Sequence, residues 1–380
     1  MRRLAQAGPR RLARVRGEVP SDEGAVALIV AMLFGLGVIL GMAALTVDVG
    51  SLYSERRQLQ NGADAAALAV AQDAALNCST GACVPITRAT SYANANSADG
   101  ASAVVEVCGT GWAAIGGCSG QSTPAITQCP AVPGGTTKWV RVRTATLTTG
   151  GGTLLPPRFA RALAGNGGYA GTRVYACAQA GLDSPGSLTA SLPLTLSLCE
   201  WNNYTANGTN FAPPPPYPPY PLTYEHAIYF HDTTGAAHCH AGPSGADLPG
   251  GFGWLATGSG TCNALINDQN WINDSTGNSI PNNCKTVLPT LVGTTVFVPV
   301  FDNANGLTGS NGSYHISGFA AFYLTGYSFP SDRVTSVASG IRYCTSSQSC
   351  IYGWFTKALA PAGGAGGGTP RGATVVRLIG

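Results

Sequence analysis

The most distinctive feature of the pattern of apolar and polar residues is the run at residues 25–47, which has no charged side chain. About 20 apolar residues are enough for a helix to cross the hydrocarbon core of a bilayer. The run therefore predicts a transmembrane helix over residues 25–47.

The residues that follow favour a helix that continues without a break. Between Ser51 and Leu76 there is no proline and one glycine, Gly62, and good helix formers dominate. Apolar positions recur there at helical spacing, at Leu52, Leu59, Ala63, Ala66 and Val70. We therefore expect a membrane-proximal helix over residues 48–76, which together with the apolar run would be on the order of 75 Å long.

Beyond residue 77 the pattern changes to short extended runs. Thr137–Thr144 alternates as a strand does, Pro157–Leu163 predicts a short helix, and Tyr169–Gln179 predicts another extended segment. Three runs rich in β-branched and aromatic residues predict core strands, at Val296–Phe301, His315–Leu324 and Ala373–Ile379. The predicted fold class is α+β: an N-terminal anchor helix followed by a mainly β region.

A proline-rich segment at residues 211–221 suggests how this region is organised. Such a sequence favours an exposed polyproline II conformation, so we interpret it as a linker or a loop. It would separate an α+β region, residues 77–210, from a β-rich region, residues 222–380.

Charge predicts the direction in which the chain crosses the membrane. Six arginines and three acidic residues lie within residues 1–24, and no Lys or Arg follows until Arg56. The positive-inside rule places residues 1–24 in the cytoplasm and everything after Asp48 outside. Since the chain has 21 basic and 18 acidic residues in all, 15 of each remain outside, and this neutral balance gives no reason to expect a nucleic-acid partner.

A cleaved secretory signal is the alternative to an anchor, because small residues near Met42–Ala44 suit a signal peptidase. The apolar core of such signals is about 7–15 residues long, and the run here is longer. We therefore favour an uncleaved, single-pass anchor in the cell membrane, and keep a secreted binding protein as an alternative.

All 12 cysteines follow the apolar run, as expected for a part of the chain that matures in an oxidising compartment. The even number fits six disulfides, whose connectivity a sequence does not define. Cys78 and Cys83, like Cys344 and Cys350, are close enough in the chain to suggest small local loops.

Several short motifs accompany the apolar run in a fixed order. They are Asp22-Glu-Gly before it, then Val-Asp-Val-Gly50, Arg-Arg-Gln-Leu-Gln-Asn61 and Ala-Asp-Ala-Ala-Ala-Leu68 after it. In this order and spacing, residues 22–76 resemble the N-terminal segment of the TadE/TadG-like proteins of Flp (tight adherence) pilus assembly, and the TadG-like ones most closely. The residues that carry the resemblance are Gly24, Asp48, Gly50, Tyr53, Arg57, Leu59, Asn61, Ala63, Asp64, Ala65 and Leu68.

The resemblance implies a membrane-anchored accessory protein or minor component that supports pilus biogenesis and surface adhesion. Its implied partners are the cytoplasmic membrane and other Tad pilus-assembly proteins or pilins. Prepilins are cut after a glycine and carry Glu at the fifth mature position, where it neutralises a neighbour's terminal amine. Counting from Gly24 places Ile29 there, which disfavours an ordinary pilus subunit.

Candidate chemistry elsewhere rests on histidines. His226, His231, His238, Cys239 and His240 include zinc-binding residue types, although their spacing matches no established metal motif. They make an exported metal-dependent hydrolase the alternative from another functional class.

Two further segments allow a chemical interpretation beside a structural one. Asp302–Gly306 offers oxygen ligands for calcium but is more typical of an ordinary turn, and His315 is either a general base or a structural histidine. The chain lacks the G-x-S-x-G, phosphate-loop and H-E-x-x-H motifs. We therefore expect no enzyme and no cofactor.

Overall fold

The computed structural model describes residues 23–78, 83–119, 129–134, 136–159, 170–230, 251–256, 260–275, 277, 279–306, 312–345, 348–361 and 366–379. Internal contacts divide the chain into two compact units. The first comprises Met1–Ser54 and Pro156–Thr172, and the second comprises Glu55–Leu155 and Arg173–Gly380.

One continuous helix, α1, spans Glu23–Leu76 and so covers both of the predicted helices. Large apolar side chains are exposed along its first half, including Phe34 at 72 %. Among the described residues, α1 is the one helix long and apolar enough to cross a membrane, with a mean hydropathy of 2.6 in its most apolar window. A single-pass anchor fits this helix.

The second unit holds the remaining described elements. Its helices are α2 (Pro85–Ala95), α3 (Leu198–Thr205) and α4 (Leu288–Leu291), with 3₁₀ turns at Leu222–Tyr224 and Asn282–Cys284. Its strands are β1 (Ala103–Thr110), β2 (Lys138–Ala145), β3 (Tyr175–Asp183), β4 (Ser187–Ala190), β5 (Leu194–Ser197), β6 (His226–Tyr229), β7 (Phe252–Trp254), β8 (Ala264–Asn267), β9 (Trp271–Asn273), β10 (Thr294–Asn305), β11 (Ser313–Phe329), β12 (Asp332–Val334), β13 (Cys350–Thr356), β14 (Ala358–Leu359) and β15 (Ala373–Leu378).

The first sheet has five strands in the order β1-β2-β3-β15-β14. Strand β2 alternates as predicted: Val140 and Val142 enter the core shared with α1, while Arg143 lies on the other face, 3.6 Å from Glu106. Strand β15, near the end of the sequence, pairs with β3.

The second sheet has the path β6-β13-β11-β10-β5-β7, and β9 and β12 also pair with β11. At its centre β10 and β11 are buried on both faces. Val296, Val298 and Val300 enter one core cluster, whereas Phe297 and Phe301 enter another. Both sheets therefore contain strands from before and after the proline-rich segment, and β4 and β8 form a separate pair.

The proline-rich segment packs against the second sheet through its tyrosines. Tyr217 is half-buried, with its ring centroid 5.4 Å from that of the fully buried Trp354, whereas most of the prolines are exposed. The tyrosines therefore hold the segment against the second sheet, while most of its prolines face solvent.

Disulfides link several loops and strands of the second unit. The described pairs are Cys78–Cys83, Cys108–Cys118, Cys129–Cys177, Cys262–Cys284 and Cys344–Cys350. Cys199 is disulfide-bonded as well.

The α+β fold class is confirmed by this arrangement. The extended runs predicted around residues 140, 175, 298, 320 and 375 correspond to β2, β3, β10, β11 and β15. The predicted helix Pro157–Leu163 extends outside the described residues.

Candidate functional site

The alanine-rich half of α1 packs against the first sheet through small side chains. Leu59 is 2 % exposed, and Ala63 is fully buried. They belong to a cluster that also contains Ala66, Ala67, Val70, Ala71 and Ala74 of the helix and Ala176, Ala178, Ala180 and Leu182 of β3. Alanine facing alanine lets the helix and the strand approach closely.

Polar contacts fix this half of the helix on the sheet. Thr144 donates its hydroxyl to the Leu59 carbonyl at 2.9 Å. Gln60 Nε2 donates to the Cys177 carbonyl at 2.9 Å and to Asp64 Oδ1 at 2.8 Å. The predicted residue Asp64 thus holds the Gln60 side chain that contacts the sheet.

Gly62, which the motif comparison did not single out, marks a close approach of two helices. A Cβ atom added to it would lie 3.2 Å from the Ala93 carbonyl oxygen of α2. The signal that could have identified it is that Gly62 interrupts a run of strong helix formers, where glycine costs about 1 kcal/mol relative to alanine.

Asp48 has a different role, within the first unit. It is 7 % exposed, and its Oδ1 accepts the backbone N–H of Arg158 at 2.7 Å and of Phe159 at 3.2 Å. Its Oδ2 also accepts the Phe159 N–H, at 3.1 Å. Asp48 therefore fastens the segment that begins at Pro156 to the helix.

The other predicted motif residues share no common pocket. Gly50, Tyr53, Arg57 and Asn61 are exposed, Ala65 and Leu68 are half-buried, and Gly24 lies in the first turn of α1. The motif thus includes residues that pack in the fold and residues that are exposed on the surface.

His226, in β6, is half-buried, and its surroundings keep the ring neutral. Its Nδ1 donates to the Tyr224 carbonyl at 2.7 Å, and its ring stacks on Tyr204 with centroids 3.4 Å apart. Burial lowers the pKa of His226 to about 3, although the Tyr224 carbonyl and the nearby Glu225 charge favour protonation.

The predicted histidine cluster otherwise lies outside the described residues, which include neither His231 nor His238, Cys239 and His240. Among the residues with described positions, no group of three or more His, Cys, Asp or Glu side chains is arranged to hold a metal ion.

Asp302 and His315 were considered separately in the sequence, and the structure brings them together. His315 Nδ1 donates to Asp302 Oδ1 at 2.6 Å, and the Trp271 ring lies 5.3 Å from the His315 ring. The interpretation of residues 302–305 as a turn was wrong, because they continue β10 and pair with β11.

Comparison with known proteins identifies the N-terminal segment. Residues 24–73 match the family of Flp pilus-assembly TadE/G-like proteins. No curated protein and no solved structure matches the chain. The matched range contains the exposed apolar part of α1, Asp48 and most of the alanine face that packs on the first sheet. The match covers 50 of the 380 residues, and it shows that this segment is similar to the TadE/G-like Flp pilus-assembly family.

Proposed function

We propose that the chain is a TadG-like, membrane-anchored accessory protein or minor component of Flp pilus assembly that supports pilus biogenesis and surface adhesion. One observation carries the proposal: the family match over residues 24–73 lies on a helix that changes along its length. Its first part exposes apolar side chains, and its second part is built into the core of a folded, disulfide-linked unit.

The partners in this proposal are the cytoplasmic membrane and other Tad pilus-assembly proteins or pilins. Arg57 and Asn61 lie one turn apart on the exposed face of the helix. Leu59 and Ala63 lie one turn apart on its buried face. The polar face of this part of α1 is therefore accessible to another subunit without disturbing the core.

We propose the N-terminus to be cytoplasmic and the disulfide-containing unit to be outside. The arginines within residues 1–24 and the disulfides of the second unit both support this orientation. Protease added to intact spheroplasts is expected to digest a C-terminal epitope and to leave an N-terminal epitope protected. The reverse pattern would contradict the orientation, and release of a chain cut near Ala44 into the medium would contradict the anchor.

Deletion of the gene tests the function itself. We expect cells without the protein to assemble fewer pili and to attach less to a surface, measured by counting filaments in electron micrographs and by an adhesion assay. The wild-type gene should restore both. As a control for expression, a Leu265→Ala gene should restore them equally, because that side chain is 73 % exposed on β8. Unchanged piliation and attachment in the deletion strain would refute the proposal.

A further inference from the structure

We propose that Trp271, Asp302, Asn303 and His315 form a binding site for a saccharide ring at one end of the second sheet. These four residues line an open cavity of about 360 Å³, within the size range of small-ligand sites. The inference goes beyond pilus assembly and does not depend on it.

The register of three strands brings the residues together. His315 of β11 lies opposite Trp271 of β9 on one side and opposite Asn303 of β10 on the other. Directly opposed residues of antiparallel strands share a face of the sheet, so these three side chains form one row across it. Their neighbour Tyr314 is on the other face, fully buried in the core.

A β-bulge adds Asp302 to this row. Phe301 pairs with Ile316 and Asn303 pairs with His315, so Asp302 is an extra residue in β10. A regular strand would direct residues 302 and 303 to opposite faces, whereas a bulge changes the direction of a side chain and is common beside functional sites. The hydrogen bond from His315 to Asp302 shows that both groups lie on the cavity side.

The polar atoms around the cavity complement the hydroxyl groups of a sugar. Asn303 Oδ1 accepts the Ala304 N–H at 2.8 Å, which leaves its Nδ2 hydrogens as donors. His315 donates from Nδ1 to Asp302 Oδ1, and Oδ2 of Asp302 is a further acceptor beside it. An amide donor beside a carboxylate acceptor matches adjacent hydroxyls, each of which both donates and accepts.

Trp271 supplies the apolar part of the site. It is 46 % exposed on the short strand β9, a high exposure for a side chain with so much apolar surface. Its ring is inclined by 55° to that of His315, so one aromatic wall stands beside the polar groups. The C–H face of a pyranose ring would cover this indole while its hydroxyls bond Asp302 and Asn303.

The test uses the full-length chain in phospholipid nanodiscs, prepared without glycoside detergents. Glucose, galactose, mannose and N-acetylglucosamine are titrated separately and followed by saturation-transfer NMR. We expect at least one of these sugars to receive saturation at its ring C–H protons. Trp271→Ala should weaken its binding by about tenfold or more, and Trp271→Phe should weaken it less because an aromatic face remains.

Two further variants separate binding from folding. Asp302→Asn keeps the size of the side chain but removes the charged acceptor, so it should weaken binding while the melting temperature reports whether the fold is intact. Leu265→Ala, at an exposed position in β8, should bind like the wild type. The proposal is refuted if none of the four sugars binds, or if a folded Trp271→Ala chain binds as tightly as the wild type.

Discussion

Replacing Asp48 with alanine is expected to release the segment that begins at Pro156 and to make the peptide bond after Arg158 accessible to trypsin. The Asp48 carboxylate accepts the N–H groups of Arg158 and Phe159, at 2.7 Å for the shorter bond. A hydrogen bond to a charged group contributes about 1.5–3 kcal/mol where water is excluded, and less at part-buried bonds such as those to Arg158 and Phe159. With two N–H groups affected, we expect the local structure to lose about 2 kcal/mol.

Limited trypsin digestion of the full chain in nanodiscs measures this release, with mass spectrometry following the fragment that ends at Arg158. Cleavage there should be much faster in Asp48→Ala than in the wild type. Asp48→Asn keeps one acceptor oxygen and should give an intermediate rate. Ser51→Ala is the matched control, because that hydroxyl bonds the backbone oxygen of Asp48 at 2.7 Å and not its carboxylate. Equal cleavage rates in all four chains would show that the carboxylate does not hold the segment.

The sequence predicted the elements whose pattern is local. The uncharged run and the good helix formers after it predicted α1, and the alternation of Val140 and Val142 with arginines predicted β2 and its two faces. These successes have one physical reason: helical and strand periodicities are read over a few neighbouring residues. Long β11 was predicted from composition rather than alternation, because both of its faces are buried.

Long-range pairing could not be predicted in the same way. Val375 pairs with Asp183, and Val300 pairs in parallel with Leu196, although neither pair is close in the chain. The same limit applies to Asp302, His315 and Trp271, whose proximity depends on strand register and on one bulge. The local sequence predicts whether a residue lies in a strand, but it does not define which strand pairs with it or in which register.

The residue types of the segment that matches the family also do not show which of its residues are buried in the fold and which are exposed. Asp48 and Asn61 are both polar residues of this segment, yet Asp48 is buried against a backbone segment and Asn61 is exposed. Only the packing of α1 separates the residues that hold the fold from those that are exposed on its surface. Substitutions of Asp48 or Ala63 therefore test stability first, and substitutions of Asn61 test assembly.

Glu225, which no sequence pattern singled out, organises a hydroxyl cluster between β6, β11 and the segment after β12. Its Oε1 accepts hydroxyl hydrogens from Thr325 and, at 2.5 Å, from Ser336, and its Oε2 accepts from Tyr343 at 2.7 Å. Ser336 in turn accepts the N–H groups of Ala338 and Ser339, at 3.1 Å each. One carboxylate thus joins parts of the chain that are about 100 residues apart.

This environment favours the ionised form of Glu225. Burial raises the pKa of the carboxyl, but the hydrogen bonds from the surrounding hydroxyls outweigh burial, and the pKa lies below its ordinary value of 4.5. In the unfolded chain the group returns to that ordinary value. The stabilisation is therefore fully present above about pH 4.5 and is lost as the pH falls through the lower pKa of the folded state.

Replacing Glu225 with alanine is accordingly expected to destabilise the second unit near neutral pH by about 2–3 kcal/mol, since three hydroxyls lose a charged acceptor that is itself partly screened by solvent. Thermal unfolding of the full chain in nanodiscs, followed by tryptophan fluorescence, measures the change.

Glu225→Gln keeps an acceptor oxygen without the charge, so at neutral pH it should be destabilised less than Glu225→Ala. When the pH is lowered from neutral to acidic, the stability of Glu225→Gln should also fall less than that of the wild type. Tyr343→Phe removes one of the three donors and should have the smallest effect. A Glu225→Gln chain with the stability and the acid sensitivity of the wild type would show that the charge of Glu225 does not hold the cluster together.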